Sequence, residues 1–239
     1  MGRNNYFRFK QFTIIQEKSA MKVGIDGVLL GAWAFAENPK KILDIGTGTG
    51  LIALMMAQRF PVAEIDAVEV DPEACSETVF NFGQSPWNDR LQLQQISFQQ
   101  FAETNVEKYD LIVSNPPFFE NSVKIKTVSR ELARNSENLG LPDLFSGVKK
   151  ILAEHGLFSI VFPALRLNEL TGTASANELF LTRLTKVKPN PGKTHHRVLA
   201  EFSFQKKTCI SDELAIESMI HHDFTNEYRS LTRDFYLKF

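Results

Sequence analysis

Residues 44–50, Asp44-Ile-Gly46-Thr47-Gly48-Thr-Gly50, leave this chain few ways to fold. The apolar run Lys41-Ile-Leu-Asp44-Ile enters the segment as a strand, and Leu51-Ile-Ala-Leu-Met-Met-Ala-Gln58 leaves it as a helix. Glycine at alternate positions permits the tight reversal between them and lets a ligand approach bare backbone at the helix N-terminus. A second apolar run, Ile65-Asp-Ala-Val-Glu69-Val70-Asp71-Pro72, ends in acids. Glu69 lies about 25 residues beyond Asp44, near the ~20-residue spacing at which a carboxylate meets a ribose diol in nucleotide-binding α/β sheets. The glycines do not follow the GxGxxG pattern of dinucleotide sites, and the acid stands on the strand itself, so no pyrophosphate cradle is implied.

Asp44 is placed to hold the positive amino group of an amino-acid moiety. A ligand with a ribose at one end and an ammonium at the other satisfies both acids, and S-adenosylmethionine is such a ligand. Further along, Tyr109-Asp-Leu-Ile-Val-Ser114 reads as a strand ending in Asn115-Pro116-Pro117-Phe118. An Asn side-chain oxygen and the carbonyl of the adjacent Pro both accept from one exocyclic NH2 group. Paired prolines stiffen the turn that aims them, because each ring fixes φ and removes a donor. Phe118 offers a flat face for stacking a planar substrate. The set suits modification of the amino nitrogen of an adenine, a cytosine or a carboxamide; the plainer reading is a proline-stiffened loop closing a buried strand.

Together these segments resemble the class I methyltransferases that act on amino groups. Phe9-Lys-Gln-Phe12, Ala20-Met-Lys-Val-Gly24-Ile-Asp26-Gly-Val-Leu-Leu-Gly-Ala-Trp33, Ser85-Pro-Trp87 and Leu231-Thr-Arg-Asp-Phe-Tyr-Leu237 are similar to the bacterial tRNA1(Val) adenine-N6-methyltransferases. The resemblance implies a Rossmann-like class I methyltransferase fold, with a seven-stranded, mostly parallel sheet whose final strand is antiparallel. It implies S-adenosylmethionine as cofactor, held by Asp44, Gly46, Thr47, Gly48, Gly50, Glu69, Val70, Ser97, Phe98 and Asn115. It implies valine tRNA as partner, methylated on the adenosine 3′ of the anticodon, with Asn115, Pro116, Pro117 and Phe118 at the reacting amine. Two positions depart from the pattern. Ser97 stands where many class I enzymes carry an acid for the cofactor's adenine, and Asn135 stands after Arg134 where the family tends to have His.

At 239 residues and 43% hydrophobic, the chain is expected to form a single domain, with residues 1–36 as an N-terminal hairpin and helix and 37–239 as the catalytic core. The N-terminus lacks the apolar core of a signal peptide, and the longest apolar run, Val28 to Ala36, is about half a membrane span. Cys75 and Cys209 are far apart, which suits free thiols of a soluble, cytoplasmic and monomeric protein. His195-His196 and His221-His222 are adjacent pairs whose side chains diverge on any regular element, so no metal site is expected. The net charge of −1 gives no global attraction to nucleic acid, so RNA must be met locally. Three stretches are basic: Arg3 to Lys22, with Tyr6, Phe7, Phe9 and Phe12 as a candidate binding arm; Lys124 to Arg134; and Lys186 to Arg197.

Strands are expected near 41–45, 65–70, 91–96, 109–114 and 157–162, with helices between. Asp26 is the expected cap of a helix running to Trp33–Ala36, and Gly156 the expected end of a helix that begins at Pro142. Leu179 to Lys188 and Arg197 to Phe204 read as a hairpin around Pro189-Asn-Pro-Gly192, and Thr225 to Phe239 as a closing helix. Competing functions are methylation of a glutamine amide or of an rRNA guanine amine, and an RNA-binding module that keeps the fold without catalysis.

Overall fold

The computed structural model describes residues 4–19, 21–117 and 139–239. Phe118, Asn135 and the basic residues of 124–134 lie outside the described residues. The parallel strands are β3 (Lys41–Ile45), β4 (Glu64–Glu69), β5 (Leu91–Gln95), β6 (Tyr109–Ser114) and β7 (Leu152–Pro163), preceded by a hairpin of β1 (Tyr6–Arg8) and β2 (Thr13–Ile15). Between them run α1 (Ile25–Trp33), α2 (Leu51–Arg59), α3 (Pro72–Gly83), α4 (Phe98–Thr104) and α5 (Leu141–Ile151). After β7 come α6 (Leu167–Ala176), β8 (Phe180–Lys188), β9 (Arg197–Ser203), β10 (Ile210–Ala215) and α7 (Asn226–Thr232).

The sheet order is β10-β8-β9-β7-β6-β3-β4-β5. Only β9 runs against its neighbours β7 and β8. The expected seven strands with an antiparallel last member are therefore present, and an eighth, β10, adds in parallel to the β8 edge. Its sequence, Ile-Ser-Asp-Glu-Leu-Ala, leaves its first four residues exposed and carries no alternation of a half-buried strand.

Strands β3 and β6 are apolar almost throughout because helices cover both faces of the sheet. Their side chains alternate between two cores. Ile42, Leu111 and Val113 join α1, α2 and the N-terminal hairpin on one side. Leu43, Ile45 and Ile112 join α4, α5 and α6 on the other. The chain proceeds from β3 outward through β4 to β5, then returns to place β6 on the opposite flank of β3. That reversal opens a crevice at the carboxyl ends of β3 and β6, the usual ligand site of an open α/β sheet.

Three local expectations are corrected. Gly24, not Asp26, is the N-cap of α1; Asp26 sits in its first turn and binds the Arg197 guanidinium at 2.7 Å. Helix α5 ends at Ile151, and Gly156 lies inside β7, at a bulge where Tyr109 pairs Leu152 but Leu111 pairs Leu157. A Cβ at Gly156 would stand 2.7 Å from the Tyr109 carbonyl, so glycine there serves strand approach rather than helix termination. Phe9 and Phe12 are no binding arm. They stack on each other at 4.7 Å and pack against Tyr236 and Trp87 in the core.

Candidate functional site

The loop between β3 and α2 is built from within. Gly46, Gly48 and Gly50 all have positive φ, which a Cβ resists. Asp44 is fully buried beneath them, and its Oδ2 accepts from the Thr47 hydroxyl at 2.6 Å and the Ala53 amide at 3.1 Å. Burial pushes the Asp44 carboxyl up to about 7 despite those two bonds. Its Oδ1 has no partner among the described residues. From β4, Glu69 closes the loop: Oε2 accepts from the Gly48 amide at 2.9 Å, and Oε1 from the amides of Val70 and Asp71 at 2.8 and 3.0 Å. Asp71 then caps α3 through the Glu73 amide, and Pro72 follows at a position where a missing N–H costs nothing.

A cleft of about 300 Å³ opens in front of this loop. Gly46, Gly48, Glu69, Val70, Ser97, Phe98, Asn115, Pro116 and Pro117 line it, so residues distant in sequence meet at one sheet edge as expected. Cβ atoms at Gly46 and Gly48 would meet nothing within 4 Å, which leaves bare backbone facing open space. Asp44, Thr47 and Gly50 do not line the cleft. They stand behind the loop backbone: Asp44 is fully buried, and Gly50 faces Phe82, whose ring would stand 2.6 Å from a Cβ.

Ser97 has a local reason to replace an acid. Its hydroxyl accepts from the Gln100 amide at 3.3 Å and donates to the Gln100 side chain at 3.1 Å, so it caps α4. Phe98 is almost wholly buried and lends the cleft one edge. Asn115 follows β6, whose end is fixed by the Ser114 hydroxyl donating to the Ile45 carbonyl at 3.1 Å. The Asn115 Oδ1 is buried and has no hydrogen-bond partner among the described residues. Such an orphan acceptor costs about 1–3 kcal/mol unless a ligand satisfies it.

Sequence reasoning missed the wall opposite. Ser19 and Met21 line the cleft because the strand-free segment after β2 is tied down on α3. The buried Glu77 carboxylate accepts from the Lys18 and Ser19 amides at 2.6 and 3.0 Å and from the Ser19 hydroxyl. Burial pushes the Glu77 carboxyl up, but those bonds outweigh it and hold the group below its ordinary value. Met21, half exposed at the rim, was the one legible sign.

The basic stretches divide. Lys10 donates to the carbonyls of Arg233 and Phe239, and Lys22 to those of Gln16 and Glu17, so both serve the fold. The third stretch enters β9 at the same edge as the cleft, with Arg197 opposite Pro163 of β7. Lys188 and His195 there meet Glu213 at 3.0 and 3.1 Å. The histidine geometry is corrected too. A left-handed turn at His222 (φ 66) stacks its ring on His221 at 3.8 Å, and Glu217 lies within ligand reach of both. The divergence expected of regular elements does not hold in such a turn. This exposed group is not among the residues lining the cleft.

Residues 27–161 match the family model of the methyltransferase small domain. A tRNA1(Val) (adenine(37)-N6)-methyltransferase from Christiangramia forsetii is 44% identical over 238 residues, covering 98% of this chain and 99% of the relative. The protein of the same description from Flavobacterium psychrophilum is 44% identical over 233 residues, covering 97% and 99%. Among solved structures, that of a "predicted O-methyltransferase" from Agrobacterium tumefaciens superposes with a TM-score of 0.69. It covers 88% of this chain and 96% of that one at 16% identity, a likeness of fold alone.

Proposed function

We infer that this chain, which belongs to the tRNA1(Val) (adenine(37)-N6)-methyltransferase family within the methyltransferase small domains, methylates the N6 amine of an adenosine in valine tRNA. The observation that carries the site assignment is the Asn115 Oδ1, a buried acceptor on the cleft wall without a partner among the described residues.

The residues present fit S-adenosylmethionine. Bare backbone at Gly46 and Gly48 admits close approach, and Glu69 keeps free lone pairs for a ribose diol beside the amides it already binds. The unpartnered Asp44 Oδ1 provides negative potential behind the loop for an ammonium. Val70 and Phe98 flank the space an adenine ring requires, and Ser97 acts on that wall as a helix cap. When bound, the cofactor supplies an electrophilic methyl group.

The chain's own work is to present the amine. Adenine N6 is a weak nucleophile because its lone pair is delocalised into the ring. Asn115 Oδ1 and the Pro116 carbonyl accept its two N–H bonds, which favours a more tetrahedral nitrogen and offsets the positive charge that grows on it. Fixing that nitrogen in line contributes much of the acceleration, and no base need remove the proton beforehand. Pro117 stiffens the turn. Phe118, outside the described residues, is proposed to stack on the base once it leaves the anticodon-loop stack, a step that costs about a few kcal/mol.

With tRNA as substrate, the protein works in the cytoplasm; no helix among the described residues is long and apolar enough to cross a membrane. Action as a monomer is part of the same proposal. Methyl transfer from labelled S-adenosylmethionine to total tRNA, followed by nucleoside mass spectrometry, tests the reading. N6-methyladenosine in valine tRNA is expected. Label in protein glutamine or in rRNA guanine would replace the substrate, and cofactor binding without label anywhere would favour the non-catalytic module.

A further inference from the structure

A second recess opens beside the cleft, on the far side of the Asn-Pro-Pro turn. It measures about 200 Å³ and shares Pro116, Pro117 and Leu139 with the cleft. Its other walls include Leu141 and Leu144 of α5 and the buried Phe162, with Arg166 as its one charged side chain among the described residues. Phe162 stands one residue before the end of β7, which pairs directly with β6 (Ser114 opposite Ile160). The recess therefore adjoins the place at which a base would enter toward Asn115.

The turn that borders it is rigid and oddly dressed. Residues 164–166 form a single 3-10 turn between β7 and α6, and the Ala164 amide donates to the His196 carbonyl at 3.0 Å. On that fixed turn Leu165 is 98% exposed. The Arg166 guanidinium sits 4.9 Å from the Phe162 ring centre and is oriented by Glu169, which accepts from Nε and Nη2 at 2.7 Å each. Glu169 thus uses two of the five N–H donors and aims the fork; the others remain for an acceptor.

We propose that the Leu165–Arg166 turn and its recess bind the nucleotide adjoining the target adenosine, Leu165 packing against the bases left behind and Arg166 bonding a backbone phosphate. This rests on the reading of the chain as a tRNA methyltransferase. An apolar, base-sized hollow with one oriented cation at its rim matches a nucleotide: a flat, weakly polar base joined to an anionic phosphate. Turning a base out of a stacked loop leaves a gap that an apolar side chain on a stiff support can fill, as apolar wedges do in other nucleic-acid complexes. The continuity of the recess with the cleft commits it to the strand already engaged there.

The test compares full-length wild type, Leu165→Ala, Arg166→Ala and Arg166→Lys in methyl transfer to valine tRNA. Cofactor affinity is measured alongside by calorimetry. The proposal expects kcat/KM for tRNA to fall about tenfold in Leu165→Ala, the scale of burying a leucine side chain as an apolar wedge. Arg166→Ala should lower the slope of log affinity against log salt by about one phosphate contact, and Arg166→Lys should restore most of that slope. Cofactor affinity should stay within about twofold throughout, since none of these side chains lines the cleft. Leu165→Ala and Arg166→Ala that both keep wild-type kcat/KM and salt slope would overturn the proposal while leaving the tRNA reading intact. A wild-type enzyme that methylates no tRNA would overturn the reading, and the proposal with it.

Discussion

The turns after β3 and β6 are neighbours, with Ile45 opposite Ser114, yet they are built on opposite principles. In the first, the polar side chains hold the loop from inside, and only the Asp44 Oδ1 has no partner among the described residues. Asp44 Oδ2 holds Thr47 and Ala53, and the two Glu69 oxygens hold three amides. In the second, the backbone is stiffened by two prolines while the Asn115 Oδ1 has no partner among the described residues. A cofactor loop that is organised before its ligand arrives loses little freedom on binding. An amine site that withholds one acceptor gains most when an N–H fills it, and most of all when that nitrogen turns positive. On the proposed reading, the pairing separates holding the donor from activating the acceptor.

Substitutions that act on one turn alone sharpen this contrast. Asn115→Ala should lower kcat about 10²–10³-fold, the scale of losing one preorganised group at a developing charge, with cofactor affinity within about twofold by calorimetry. Equal loss of both would merge the two turns into one structural unit. Gly50→Ala forces a left-handed position (φ 82) onto a residue with a Cβ and drives that Cβ into Phe82. Thermal denaturation should show a loss of at least about 1–3 kcal/mol, and an unchanged Tm would remove the internal order claimed for the loop.

The Asp44 carboxyl, raised to about 7 by burial, makes the first turn sensitive to pH. A cationic ligand favours its ionised form, so cofactor affinity should weaken as pH drops below about 7, by up to about tenfold per unit, and Asp44→Asn should flatten the profile. The ligand-free fold has the opposite sign. The stabilising contribution of Asp44 is full below the ordinary carboxyl value and is lost as pH rises through about 7. Affinity that is level from pH 6 to 8 in the wild type would confine Asp44 to shaping the loop. Glu69→Gln loses the charge and also turns one of the two accepting oxygens into a donor that faces a backbone amide, so calorimetry should show cofactor binding weakened by about tenfold or more with kcat nearly unchanged.

The sheet centre was legible because buried parallel strands are continuous apolar runs, and 41–45 and 109–114 emerge with the expected bounds. The glycine loop and Asn-Pro-Pro turn were legible because each needs particular backbone geometry. What escaped depends on tertiary partners. Phe9 and Phe12 looked like a binding arm until Tyr236 and Trp87 packed against them. Gly156 looked like a helix stop because nothing in the sequence announces that the Tyr109 carbonyl passes over it. Strand β10 is an exposed edge whose pairing, not its composition, makes it a strand. Asp44 was legible as an acid at the end of a strand, but its complete burial was not.

The most direct measurement is a cycle between protein and base. Valine tRNA carrying adenosine or purine riboside, which lacks the amine, at the target position is titrated into wild type and Asn115→Ala in the presence of S-adenosylhomocysteine. If Asn115 Oδ1 is held for that amine, wild type prefers adenosine by about tenfold and Asn115→Ala loses the preference. The same preference in both proteins would contradict the account and assign the amine to another acceptor.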